Sequence, residues 1–283
     1  MPNNPEWQPS QIRILLKEAI NSSTSPFVVL TDCGEGHLKA LGNPEGPHSL
    51  AREWIGTRLA DYLGLPTFDY AIVNVSELFE AYFYNGEKIQ EGPAFISRTE
   101  SGSSWVGGES ILQKAINTSD ISRLILFDTW IRNRDRFFQD NSDPPRRNFG
   151  NVFFSREAPP GKFLLKAIDH THILTSQSEL HIRDLGISDA RDCRIYGLFP
   201  EFRSYLNKEV VKEFSQKLAN IERKYIQLIM REIPPQWEVS TELREHVCSF
   251  LLNRAAFLSN DDYIFNRLFP QKEFNFDDPE DLS

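Results

Sequence analysis

The chain has little that could staple it or anchor it. Only three cysteines, Cys33, Cys193 and Cys248, occur in 283 residues, far apart and with no Cys-x-x-Cys pair. Neither a disulfide framework nor a cysteine-built zinc site is indicated. No apolar run approaches the roughly 18 residues of a spanning helix, and no basic amphipathic helix points to a membrane surface. The opening MPNNPEWQPS lacks a basic n-region and an apolar h-region, so no secretory signal is read there and a cytoplasmic location is expected. Positive charge is also in deficit. The formal net charge is −9, which argues against a general nucleic-acid surface. No internal repeat is found.

What is present is the composition of a globular protein, 40% hydrophobic and 25% charged, long enough for one large domain or two lobes. Apolar residues at Ile12, Leu15, Leu16, Ala19 and Ile20 follow helical spacing, with Ser10 as N-cap. PFVVLT (26–31) and HLKALG (37–42) read as strands of a hairpin joined by the turn DCGEG (32–36). SLAREWIGTRLADYLGLP (49–66) is a helix, capped by Ser49 and ended by Gly64 and Pro66. Strands follow at 68–75 and 92–98, then SGSSWVGG (101–108), read as a flexible hinge loop. Helices dominate the remainder, at 119–134, at 210–233 as one long element, and at 240–258, with a hairpin over 151–155 and 162–168. The expectation is an α+β chain. A small β-rich lobe (1–100) holds an N-terminal helix, strands and one long helix, and a larger helical lobe (101–283) follows.

Four features recur in order: a glycine turn followed by Lys39, then Glu53 in the next helix, then Asp135 with a downstream Asn, then Asp169 at the end of the second hairpin. Phosphoryl transfer from ATP uses such a set: a lysine on the phosphates, a glutamate orienting it, an aspartate for the acceptor proton, and an asparagine and aspartate for Mg²⁺. Each feature alone has a plainer reading. Lys39 could be a solvated strand lysine, DCGEG an ordinary hairpin turn, Asp135 one charge in an arginine-rich loop, and Asp169 an exposed loop carboxylate. Glu53 is more telling, because it shares a helix face with Gly56, Thr57 and Ala60, where another element can approach and where a glutamate needs a partner. Asp128 shares a face with Ile121, Leu124, Ile125 and Ile131, and reads as a buried carboxylate bracing the loop that starts at Asn133.

HLKALGNPEGPHSLAREWIGTRLADYLGLP (37–66), LILFDTWIRNRDR (124–136), GNVFF (150–154) and LKAIDHTHIL (165–174) together resemble the HipA-like kinases, specifically a short bacterial group that is distantly similar to phosphatidylinositol 3- and 4-kinases. REIPPQW (231–237) and SFLLNRAAFL (249–258) match its helical C-terminal part, so the resemblance covers about 27–258. It implies a two-lobed protein-kinase-like fold using ATP and Mg²⁺. Lys39 would bind phosphate beside the turn glycines Gly34 and Gly36, Glu53 would pair with Lys39, Asp135 would be the catalytic base, and Asp169 would hold metal. The family motif continues from its NRDR with a His and an Asn five residues after the Asp. Here Phe137 replaces the His and position 140 is Asp. Asn151, directly before a strand, is therefore expected to hold metal rather than Asn141, with 137–147 as an insertion that leaves Arg146 and Arg147 free for an acidic partner or a phosphate. The acceptor implied is a Ser or Thr of a protein. HipA-like proteins often act as toxins or regulators beside a small DNA-binding partner, and a protein substrate or regulatory partner is expected rather than nucleic acid or membrane.

Other readings stay open at this point: a nucleotide-binding pseudokinase or regulatory interaction module, a lipid or small-molecule kinase, and a zinc hydrolase built on His170, His172 and His181 or Asp169.

Overall fold

The structure is a computed structural model that describes residues 7–18, 22–139, 145–175, 177–260 and 262–270. An antiparallel five-stranded sheet comes first: β1 (Ile12–Lys17), β2 (Phe27–Thr31), β3 (Gly34–Lys39), β4 (Tyr70–Val75) and β5 (Gly92–Arg98), in the order β1-β2-β3-β5-β4. Helix α1 (Pro47–Leu63) crosses between β3 and β4 in sequence. A three-stranded sheet, β10-β9-β6, is built from β6 (Gly102–Ser104), β9 (Val152–Ser155) and β10 (Leu164–Ala167). Between β6 and β9 lie α2 (Asp120–Ile131) and a two-stranded ribbon of β7 (Phe137–Phe138) and β8 (Arg146–Arg147). The rest is helical: a short α3 (Ile187–Ala190), then α4 (Lys208–Ala219), α5 (Arg223–Glu232), α6 (Thr241–Asn260) and α7 (Asp262–Leu268). Among the described residues no helix is long and apolar enough to cross a membrane.

The helix expected over 12–20 is instead strand β1, as far as the described residues go. Its pairing with β2 slips between Ile12 and Ile14 and again between Leu15 and Lys17. Two such irregularities turn the period-two alternation of a strand into a spacing of three, so Ile12 and Leu15 face the sheet core. That spacing is what imitates a helix. Ser10 is not a cap. Its backbone N–H and hydroxyl donate to the Asp32 carboxylate at 2.9 and 2.6 Å.

The long helix expected over 210–233 is two helices. Asn220 ends α4, and its side-chain amide donates to the Gln216 carbonyl at 2.8 Å. An amide that bonds the local backbone competes with helix continuation, and the turn it allows buries Ile221. The flexible loop expected at 101–108 is instead largely structured. β6 pairs with β9, and Trp105 is buried against Phe149, Phe199 and Phe202. A Cβ at Gly102 would overlap the Phe154 carbonyl, which is why the strand opens on glycine.

Among the described residues two apolar cores result. One lies on the outer face of the five-stranded sheet, with Phe27, Val29, Leu38, Val73 and Ile96. The larger one runs from α1 through α2 and into α4, α5 and α6. Helix α1 is buried on several sides, which explains its lack of a single apolar stripe. It starts after Gly46 with Pro47 in its first turn and ends at Gly64 in the left-handed region. Ser49 lies inside the helix and donates to the Gly46 carbonyl at 2.6 Å rather than capping it. Arg58 forks onto Glu232 with two 2.9 Å bonds, and the Trp237 indole donates to the Pro93 carbonyl at 2.9 Å. The helix that carries Glu53 is therefore tied to α5, and the segment after α5 is tied in turn to β5.

Candidate active site

A cleft lies between the two sheets, lined by Pro26, His37, Lys39, Phe95, Ser104, Phe153 and Asp169 among others. Alternation along β3 sends Leu38 into the sheet core and His37 and Lys39 toward the cleft. Lys39 Nζ stands between three oxygens: Glu53 Oε2 at 2.8 Å, Asp169 Oδ1 at 3.0 Å and Thr171 Oγ1 at 3.0 Å. Burial works against the ammonium, but the Asp169 and Glu53 carboxylates outweigh it and raise the Lys39 pKa. Burial likewise opposes the Asp169 carboxylate, and Lys39 overrides it and holds that pKa below the usual aspartate value. Both groups are charged at neutral pH.

Glu53 is fixed from a second side. Its Oε2 also accepts from the Thr171 hydroxyl at 2.8 Å and the His170 N–H at 3.1 Å. The small-residue face read on α1 is where His170 arrives. A Cβ at Gly56 would overlap the His170 Cβ and stand 2.7 Å from its Cγ. The His170 ring is fully buried, edge-on to Phe127, with Nδ1 3.4 Å from Thr57 Oγ1. Burial pushes its pKa down to about 3, so it stays neutral. Asp169 itself adopts φ +58°. A non-glycine residue in that region is uncommon and marks a conformation held by its surroundings.

The loop after α2 is organised by Asp128 and Arg136, both wholly buried. Asp128 Oδ1 accepts from the Asn133 amide at 3.0 Å and Oδ2 from Arg136 Nε at 2.7 Å. Desolvation raises the Asp128 pKa, and Arg136 opposes it. The bracing carboxylate read from the sequence is thus found, with a guanidinium as its main partner. Arg136 also donates to the Asn151 carbonyl and, at 3.2 Å, to the Ile168 carbonyl. One side chain therefore joins the Asp135 loop, the start of β9 and the residue before Asp169.

Asp135 is buried by this arrangement. Its Oδ2 accepts from the Asn151 amide at 2.9 Å and the Asn148 amide at 3.0 Å, and its Oδ1 pairs with Arg146 at 2.7 Å. The expectation that Arg146 stands free is corrected: it lies on Asp135. Asn141 falls outside the described residues, as does the centre of the expected insertion. The described stems of that segment, Phe137–Phe138 and Arg146–Arg147, pair as the β7–β8 ribbon.

The structure thus brings Lys39, Glu53 and Asp169 together at hydrogen-bond distance, and joins Asp135 to Asn151. It does not bring Gly34 and Gly36 into the cleft. They belong to the β2–β3 hairpin, and Gly36 faces the opposite side of the sheet, where a Cβ would meet Ile96 Cδ1 at 2.7 Å. The segment next to the cleft is the serine-rich one before β2. Pro26 lines the cleft, and Ser23 Oγ lies 3.2 Å from His172 Nε2. Thr171, Arg136, Asn148 and this serine segment were missed by the sequence reading, and His170 was singled out only as a zinc ligand, not as the residue packed against α1. The signals were present in IDHTH, in the second arginine of NRDR and in the run SST. None has a spacing that names a partner.

Among the described residues, no three or more His, Cys, Asp or Glu side chains gather as a metal cage. The zinc set of His170, His172 and His181 is not formed: His170 is packed inside against Phe127, and His181 is set against Glu179 at the surface. The oxygens of Asp169 and Asn151 are hard ligands of the kind Mg²⁺ takes, in sites completed by substrate phosphates rather than by protein alone.

A family model described as HipA-like kinase matches residues 12–260. Among solved structures the chain is similar to a Helicobacter pylori proinflammatory kinase, CtkA, with a TM-score of 0.58 and 13% identity over 92% of this chain and 97% of that one. At that identity the likeness is one of fold, and it agrees with the two-lobed kinase-like architecture. No curated protein matches the chain.

Proposed function

The chain belongs to the HipA-like kinase family, and on that premise we propose that it is an ATP- and Mg²⁺-dependent kinase that transfers the γ-phosphate to a serine or threonine hydroxyl of a protein. The observation that carries this reading is the Lys39 ammonium held between Glu53 and Asp169 at the cleft. A charged lysine fixed in a partly enclosed site is a ready partner for phosphate oxygens.

In this reading Glu53 keeps Lys39 aimed into the cleft, and Thr171 and the His170 N–H keep Glu53 in place. Asp169 and Asn151 would hold Mg²⁺. The metal, when bound, neutralises charge that builds on the transferring phosphoryl group. Asp135 accepts the proton of the acceptor hydroxyl, and the Asn148 and Asn151 amides orient its carboxylate by occupying Oδ2. The Arg136 guanidinium keeps the Asp135 loop and the Asp169 segment in one register. A protein acceptor follows from the family alone.

Incubation of the purified chain with labelled ATP and Mg²⁺, read by mass spectrometry for phosphate on the chain itself and on added protein, tests the proposal. Binding of ATP without transfer in either would assign the chain to the nucleotide-binding regulators instead.

A further inference from the structure

Arg146 competes for the one oxygen that an acceptor hydroxyl would need. Asp135 Oδ2 is occupied by two amides, so Oδ1 is the oxygen left for a proton. An acceptor hydroxyl must come within about 2.6–3.2 Å of it, and the Arg146 guanidinium sits there at 2.7 Å. The contact is unlike the buried Asp128–Arg136 pair. Arg146 is 63% exposed while Asp135 is 8% exposed. Arg146 can therefore leave into water, while Asp135 keeps the two amide bonds on its other oxygen.

The surroundings show what it could be exchanged for. Arg146 stands opposite Phe138 in the β7–β8 ribbon, so the two side chains project to one face. The guanidiniums of Arg134 and Arg194 lie over the same Phe138 ring, at 5.4 and 5.5 Å, and that ring stacks on Tyr196. Arg194 is shared with Asp192. Two guanidiniums therefore lie over one ring and a third, Arg146, projects to the same face beside Asp135, in a chain whose net charge is −9. Arg194 spends its Nε and Nη2 edge on Asp192, so the guanidinium that an incoming anion would meet beside Asp135 is that of Arg146, exposed and able to take a planar anion at its edge.

Building on the kinase reading of Asp135, we propose that Arg146 sets acceptor specificity: the acceptor is a serine or threonine in an acidic peptide segment, and the flanking anion draws Arg146 off Asp135 as the hydroxyl arrives. The flanking carboxylate or phosphate takes the bidentate face of the guanidinium. Asp135 Oδ1 takes the hydroxyl proton while the acceptor's hydroxyl oxygen bonds to the γ-phosphorus. The bond from the γ-phosphorus to the bridging oxygen breaks, and its electron pair leaves on ADP. A neutral acceptor offers Arg146 nothing in exchange and meets an occupied base.

The test uses the full chain and serine peptides flanked by Glu, phosphoserine, Ala or Lys, together with ATP hydrolysis measured without peptide. The wild type should use the Glu or phosphoserine peptide about tenfold better than the Ala peptide, the scale of one charge-assisted contact. The ranking of those two arms tells carboxylate from phosphate. Arg146→Ala should lose that preference while hydrolysis by water rises, because Oδ1 is uncovered. Arg146→Glu should favour the Lys peptide. Equal use of neutral and acidic peptides by the wild type overturns the proposal. So does a parallel fall of hydrolysis and all peptide transfer in Arg146→Ala, which marks a structural role, and so does displacement of bound peptide by single-stranded RNA with no discrimination among peptides. Fluorescence anisotropy of the labelled Glu peptide is independent of turnover. If no variant turns over ATP, the kinase reading fails, and loss of Glu-peptide binding in Arg146→Glu still supports the anion site, whereas unchanged binding overturns it.

Discussion

His170 lies against Gly56 with no room for a side chain between them. Helix α1 and the Asp169 segment are thus in backbone-close contact, and through it Glu53 reaches both Lys39 and Thr171. Gly56→Ala should force the two apart. The expected cost is about 1–3 kcal/mol of stability, typical of overpacking in a close-packed core, together with loss of ATP-dependent stabilisation. Urea titration and thermal shift with Mg-ATP measure the two. A variant of wild-type stability would show that the contact yields without strain.

The Lys39–Asp169 pair predicts a division of labour. A ligand that binds only the folded chain stabilises it by about 2.7 kcal/mol at 100 times its Kd, so Mg-ATP should raise the melting temperature. Lys39→Met should reduce that rise, and Asp169→Asn should remove its Mg²⁺-dependent part. Asp135→Asn should keep the rise and lower transfer by about 10²–10⁴, the usual contribution of a general base. Transfer at the wild-type rate in Asp135→Asn would remove Asp135 from the mechanism.

Arg136 is the buried clamp, so its truncation should be costly. Arg136→Ala leaves the Asp128 carboxylate uncompensated, at about 3–5 kcal/mol, and releases the carbonyls of Asn151 and Ile168. The double variant Asp128→Leu/Arg136→Met should cost less than the sum of the two single changes. Denaturant midpoints for the four proteins check this. Strict additivity would mean that the pair is not coupled.

His170 should make stability depend on pH. Its folded pKa is pushed down to about 3, from an ordinary value of 6.5. Below 6.5 the unfolded chain takes up a proton that the folded chain refuses. Stability is therefore present above that pH and is lost as pH falls toward 3, by at most about 1.4 kcal/mol per pH unit from this residue. His170→Gln should flatten the slope between about pH 6 and 4. An unchanged slope would show that His170 is protonated in the folded state.

Much of the fold and the site was legible in the chain, and the limits have physical causes. Strand β5 and helix α1 were readable because their signals are local: an apolar run and the stop at Gly64, although the helix begins at Pro47 and not with Ser49 as its cap. Lys39, Glu53, Asp135 and Asp169 could be singled out as candidates because their types and order are those that phosphoryl transfer uses, and the structure sets Lys39 against Glu53 and Asp169. β1 was misread because two slips in pairing give a strand the spacing of a helix, and a slip exists only against the neighbouring strand. α4 and α5 were joined because the apolar spacing runs on past Asn220, whose side-chain bond to the Gln216 carbonyl is a weak local signal, and the core that buries Ile221 decides the break.

The sequence by itself determined the inventory: a lysine, a glutamate, two aspartates and an asparagine in an order that survives any folding. Which atoms meet was decided by tertiary structure. Lys39 and Asp169 are 130 residues apart, and their contact exists because Gly56 lets His170 in and Arg136 holds three segments in register. The same holds for Arg146, whose charge is plain in the sequence but whose seat on Asp135 depends on the pairing of β7 with β8. Gly34 and Gly36 show the converse. Residue type suited them to phosphate, but strand alternation turned Gly36 to the other face of the sheet, because a side chain's direction is fixed by its strand and the strand's place by its neighbours.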